Sequence, residues 1–303
     1  MLSTRRLSRL ALAATLALVG IGGFTRGSDS GYGCADRWPL CENGLLGGLL
    51  PRAEYHMIIE WTHRWAAALV GILAIATAVA AWRHHRHRLM IVLPAIAAVA
   101  AIGVQAWVGR LVVKGALDRD LVSVHLAISM TVVALLTIVL VTTSPSFGAG
   151  TADRDREWTL LLAAAAAGSL ALLLLGSYVH NLYVDGWPLV RNTLFPDLSN
   201  RFVATHYAHR VVAAAGLVFL GYLIMVAVRR ERPRAERSLL YAAGVAYGVN
   251  IGLGAAHVFT RVDSSALVTG HLLMASLVWV SLVAATTISA RAPISSDVLE
   301  PLM

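Results

Sequence analysis

The chain has 303 residues, 57% of them hydrophobic and only 14% charged, with a mean hydropathy of +0.68. So few charges cannot cover the surface of a water-soluble domain, which excludes that class. The net charge of +8 gathers between apolar runs, so it reads as a determinant of membrane topology and no nucleic-acid partner is expected.

Crossing the ~30 Å hydrocarbon layer takes about 20 apolar residues, which must be helical or part of a closed barrel to satisfy their own backbone. Eight such runs occur in chain order, at 7–24, 57–81, 89–110, 121–143, 158–180, 203–228, 238–259 and 265–289. They are rich in Ala, Leu, Val and Gly without a period of two, which predicts helices and not barrel strands. The first run follows Arg5, Arg6 and Arg9, and a cleaved signal peptide is its alternative reading.

Alternate loops differ in basic content. One set holds Arg5, Arg6, Arg9, Arg83, Arg86, Arg88, Arg154, Arg156, the five arginines between Arg229 and Arg237, and Arg291. The other holds Arg26, Arg37, Arg52, Lys114, Arg119, Arg191, Arg201 and Arg261, spread over longer loops. The richer set is expected to face the cytoplasm, with both termini, in a multi-pass plasma-membrane protein. The tract WRHHRHR (82–88), with His84, His85 and His87, reads as an anchor beside anionic lipid.

The first outer loop contains both cysteines, Cys34 and Cys41, in GCADRWPLC. An even pair on the oxidising side predicts a disulfide, two independent thiols being the alternative. An exposed short-loop disulfide is also the kind that exchanges with other thiols.

The chain repeats itself. IIEWTHRWAAALVG (58–71) aligns with VATHYAHRVVAAAG (203–216), putting His63 over His209 and Arg64 over Arg210 at an offset of 146. LVSVHL (121–126) aligns with LVTGHL (267–272), putting His125 over His271 at the same offset, and GVQAWVG (103–109) over GVNIGLG (248–254) differs by one. Three blocks in one order predict a duplication. The expected fold is an all-α integral membrane protein of eight transmembrane helices, arranged as two tandem pseudo-symmetric four-helix bundles. The halves are 1–143 and 158–289, joined by a cytoplasmic linker, 144–157, and followed by a tail, 290–303.

Within each half the two repeated histidines lie 62 residues apart, His63 to His125 and His209 to His271, on even-numbered helices at matching depth. Ionisable groups inside the membrane are costly and must find partners in the bundle interior. A haem held by two imidazoles is a partner that fits facing helices; hydrogen-bonded core histidines or a proton relay are the alternative. The halves differ at one place. Glu60 precedes His63 by one turn, and His206 stands where its mate would be. A carboxylate confined to one of two duplicated sites points to chemistry there and to electron carriage at the other; an ion pair with Arg64 is the competing role. Arg64 and Arg210 can reach haem propionates or snorkel to the interface. His206 competes with His209 as ligand, being on the same face, although the 62-residue spacing favours His209. His56, His180 and His257 have no mate at the repeat offset and read as interfacial or supporting residues.

CADRWPLC, IEWTHR, the later AHR and the histidines of LVSVHL and LVTGHL resemble the haem A synthase family, in its cysteine-containing bacterial type, over nearly the whole chain. The resemblance implies an enzyme that oxidises a methyl group of haem O to formyl by successive hydroxylations, yielding haem A for cytochrome oxidase. It implies that Glu60, His63 and His125 form the substrate-haem site, with Cys34 and Cys41 nearby, and that His209 and His271 hold a resident haem b. The partners it implies are membrane lipid, haem O, the enzyme that makes haem O and an unidentified electron donor. HYAHR departs from the family pattern by its extra histidine, His206, which bears on the sixth-helix ligand. Two readings compete with the enzyme: a di-haem b-type electron carrier and a haem transporter or chaperone.

Overall fold

A computed structural model of the chain describes residues 3–144, 155–179, 183–261 and 263–290. Each apolar run forms one helix: α1 Thr4–Gly27, α2 Tyr55–His85, α3 Leu89–Lys114, α4 Arg119–Thr142, α5 Arg156–Val179, α6 Arg201–Arg229, α7 Arg234–Phe259 and α8 Ser265–Ser289. All eight are long and apolar enough to cross a membrane. Short 3-10 turns at Leu46–Gly48 and Val190–Asn192 lie in the two long loops that precede α2 and α6. Among the described residues there is no strand, only an isolated bridge between Leu45 and Leu50.

Most helices outrun their apolar cores because polar caps and charged turns continue the backbone ladder beyond the lipid-compatible stretch. Asp118 accepts hydrogen bonds from the amides of Asp120 (3.0 Å) and Leu121 (3.1 Å) at the start of α4, and Asn200 accepts from Phe202 (2.9 Å) at the start of α6. α7 begins four residues before its apolar run because Pro233 occupies the N-cap and Arg234, Ala235, Glu236 and Arg237 form a charged first turn. Most of the expected linker and tail, and His180, lie outside the described residues.

The helices pack as two rings. In the first, α1 packs on α2, α2 on α3, α3 on α4 and α4 on α1; in the second, α5, α6, α7 and α8 do the same. The rings meet through α1 on α8, α4 on α8 and α4 on α5. Exchanging each helix for the one four places along maps every packed helix pair onto a packed pair, with α4 and α8 exchanging places in their own. At the centre, Met130 of α4 meets Ser276 of α8, its mate at the repeat offset, with Oγ 3.8 Å from Sδ, and the Trp279 indole N–H donates to the Met130 carbonyl at 2.9 Å. A residue can touch its own mate only near an axis relating the two halves.

α1 is part of this assembly. Its glycines let α8 approach: a Cβ on Gly27 would lie 2.9 Å from the Ser265 Cα, and one on Gly23 would lie 3.3 Å from the Thr269 Cα. Such contacts bind the first helix to the last. At the end of the bundle opposite the cysteine loop, Glu236 is buried and accepts from the Trp158 indole N–H (2.8 Å) and from Arg232 (3.1 Å), whose guanidinium also pairs with Asp155 (3.7 Å). That network ties α5 to α7 through the start of each helix.

Candidate functional site

All four repeated histidines enter from the cysteine-loop end. His63 and His209 are each the ninth residue of their helices, and His125 and His271 each the seventh, so they lie about 9–12 Å along the helix axes at 1.5 Å per residue. His63 on α2 and His125 on α4 stand diagonally across the first ring at matching depth, as His209 on α6 and His271 on α8 do across the second. The Nδ1 atoms of His63, His125 and His209 are buried without a hydrogen-bond partner, and that of His271 lies 3.1 Å from the Asn250 carbonyl.

Glu60 lies on the loop-facing side of α2. His56, Glu60 and Arg64 recur at four-residue intervals and form one stripe, and this stripe grips the cysteine loop. The His56 Nδ1 is 2.9 Å from the Ser30 hydroxyl. The Cys34 amide donates to Glu60 at 2.6 Å. Arg64 pairs with Glu60 and donates to the carbonyls of Arg37 (2.8 Å), Pro39 (3.1 Å) and Leu40 (3.3 Å). Trp61 adds an indole bond to the Leu49 carbonyl at 2.9 Å. Gly33 is obligatory here, since a Cβ would stand 2.2 Å from the His56 carbonyl oxygen. The ion pair expected as the bland role of Glu60 is thus present, and it is one half of a two-sided clamp.

Cys34 and Cys41 are joined in a disulfide, and both are buried, at 0% and 1% exposure, against Met57 and Trp61. The expected pairing is present, and the loop folds back on α2 and covers both sulfurs. Other thiols reach them only if the loop lifts.

The second half builds the same device without sulfur. Arg210 donates to the carbonyls of Gly186 (2.5 Å), Pro188 (3.4 Å) and Val184 (3.4 Å), as Arg64 does around Pro39. Val184, Val190 and Val203 cluster with Tyr207, where the first half has Cys34, Cys41, Met57 and Trp61; Met57 and Val203, like Trp61 and Tyr207, are mates at the 146-residue offset. WPL recurs in the two loops, at 38–40 and 187–189. This fourth repeated block is visible in the sequence, but loops of unequal length hide it from a search at fixed offset.

Both arginines expected at propionates are therefore engaged with loop carbonyls. His206 interacts with His209, and the His257 ring packs edge-on against His271, centroids 5.4 Å apart. Glu60 has no carboxylate counterpart in the second half, as the sequence already indicates.

Eight apolar helices in two rings, each ring holding a facing pair of histidines beneath an arginine-braced loop, define a multi-pass helical membrane protein with two related sites. The chain belongs to the cytochrome oxidase assembly protein family, whose match spans residues 49–283. It is 29% identical to the Heme A synthase of Alkalihalophilus pseudofirmus across 93% of this chain and 98% of that protein. It is 29% identical to the Heme A synthase of Symbiobacterium thermophilum, across 89% and 92%. With the Heme A synthase of Shouchella clausii it shares 28% identity across 90% and 93%.

Proposed function

We propose that this chain is a haem A synthase, which oxidises a methyl group of haem O through a hydroxymethyl stage to formyl. The observation that carries this reading is the asymmetry of a repeated frame: Glu60, held by Arg64 and the Cys34 amide, stands beside one histidine pair and His206 replaces it beside the other. Substrate haem O belongs at His63 and His125, and a resident haem b at His209 and His271. The likeness to the Heme A synthases over nine-tenths of the chain supports the assignment.

The residues suit haem rather than a bare metal ion. Among the described residues no group of three or more His, Cys, Asp or Glu gathers to hold a metal. Two imidazoles complete an iron site when a porphyrin supplies the other four ligands. With Nδ1 buried at the helix side, Nε2 is the nitrogen left to ligate. When bound, haem supplies the redox chemistry that no side chain has, since a methyl C–H bond lies beyond acid–base catalysis. His63 and His125 hold and orient the substrate within the bundle. Glu60 accepts or returns the proton that accompanies each oxidation. Arg64 and Arg210 brace the loops above the two sites and would offer propionates only the donors that the carbonyls leave spare.

The arginine asymmetry supports a topology with the cysteine loop outside and both termini in the cytoplasm of a plasma-membrane protein. The substrate arrives through lipid from the enzyme that makes haem O, and the reducing electrons that each hydroxylation consumes come from a separate donor. A di-haem electron carrier accounts for the four histidines but leaves the carboxylate and the disulfide, present at one of the two sites alone, without a purpose. Expression in cells that make haem O but lack their own synthase separates the two: haem A in the extracted pigment supports the enzyme, and haem O left unchanged beside haem b supports the carrier.

A further inference from the structure

Each of the four histidines is seated on a glycine of the preceding helix. A Cβ built on Gly22 of α1 would lie 3.2 Å from the His63 Cε1, one on Gly109 of α3 would lie 3.1 Å from that of His125, one on Gly176 of α5 would lie 3.0 Å from that of His209, and one on Gly254 of α7 would lie 3.3 Å from that of His271. In all four the next ring atom is Nδ1, at 3.6–3.8 Å; Nε2 is at 3.9 Å in His209 and beyond 4 Å in the others. The same edge of every imidazole is thus pressed on a bare Cα and Nε2 is turned away. Other glycines of these helices, Gly103, Gly168, Gly248 and Gly252, face open space, so the contact is not a general consequence of glycine content.

We infer that Gly22, Gly109, Gly176 and Gly254 are positioning residues that fix the ring plane of the axial histidines and aim Nε2 at the iron, an inference that rests on the haem reading above. A missing Cβ lets the ring edge reach the helix backbone, where Nδ1–H can use a carbonyl one turn before the glycine. The His271 Nδ1 is 3.1 Å from the carbonyl of Asn250, four residues before Gly254. A ligating imidazole anchored in this way through its other nitrogen keeps its orientation and basicity, and loss of such support costs ~10–100-fold in metal affinity. Contacts of 3.0–3.3 Å are too short for a methyl group, so alanine forces the ring to shift by a few tenths of an ångström. An imidazole without ligand absorbs that by rotating. One tied to iron at Nε2 cannot, so the penalty appears in the loaded protein.

The test compares full-length Gly254→Ala, Gly252→Ala and His271→Ala, purified in detergent with haem. Helix content and thermal unfolding of the haem-free proteins report folding; the low-spin optical and EPR signature, the reduction potential and haem retention report the site. Gly254→Ala is expected to fold like the parent, retain haem at least ~tenfold more weakly and show a weakened low-spin signal, while Gly252→Ala matches the parent. If Gly254→Ala unfolds, Gly176→Ala on the opposite ligand of the same haem gives the reading independently. A parental spectrum, potential and retention in both seat variants, with haem lost from His271→Ala, overturns the seats and leaves the ligands standing. Haem retained as a low-spin centre in His271→Ala overturns the ligand assignment and the seat with it.

Discussion

The carboxylate of Glu60 and the backbone amide of Cys34 meet at 2.6 Å, which makes the acid one turn before His63 and the loop disulfide a single mechanical unit. Replacing Glu60 by Gln keeps the shape but removes the charge that holds both Arg64 and the Cys34 N–H. A charge-assisted hydrogen bond contributes about 1.5–3 kcal/mol. Glu60→Gln is therefore expected to speed hydrogen exchange at the Cys34 amide by ~10–100-fold while α3 to α8 exchange as in the parent. Unchanged protection at Cys34 would show that the loop is held by Arg64 and Trp61 alone.

Burial of the disulfide governs its reactivity. Mass analysis without reductant is expected to find no alkylatable thiol, and mild reductant to open the bridge only slowly in the folded protein, since both sulfurs are covered by Met57 and Trp61. Closing a loop of this length stabilises the chain by about 2–3 kcal/mol through the unfolded state, so the double Cys34→Ser, Cys41→Ser variant should unfold earlier on heating. Rapid labelling of the native protein would contradict the packing.

Glu236→Ala tests the opposite end. It leaves the buried Trp158 indole N–H without its acceptor and Arg232 with Asp155 as its remaining partner, and a buried donor left unsatisfied costs about 1–3 kcal/mol. Thermal unfolding in detergent should shift down markedly, and more than for the exposed Glu231→Ala. Equal shifts would mean that the network contributes nothing beyond solvation.

Much of this was legible in the sequence, for a physical reason. Lipid tolerates no unpaired backbone, so each apolar run had to be a helix, and α8 begins and ends where its run does. The duplication was legible because His63 and His209, like His125 and His271, keep one offset. The clamp was not: the Glu60–Arg64 pair follows from helical spacing, but nothing local tells that the Cys34 amide, twenty-six positions earlier, closes on it. Charge near a ligand suggests propionates or the interface as the partner of each arginine, whereas loop carbonyls are acceptors that no side-chain pattern announces. Two of the glycine seats, Gly109 and Gly254, lay inside a repeat block recognised for its similarity alone. Their partners Gly22 and Gly176 lay outside it, and only the packing of the rings reveals what the four have in common.

If one half performs chemistry and the other carries electrons, the fate of haem O must show it. The parent chain and Glu60→Gln are produced in cells that make haem O but lack their own synthase, and the pigments of the purified proteins are separated and weighed by mass spectrometry. The parent should yield haem A beside haem b. Glu60→Gln should retain haem b at His209 and His271 and carry haem O or its hydroxymethyl form, with little haem A. Haem b alone in the parent, or full haem A production by Glu60→Gln, would contradict the account, the first its enzyme and the second its acid.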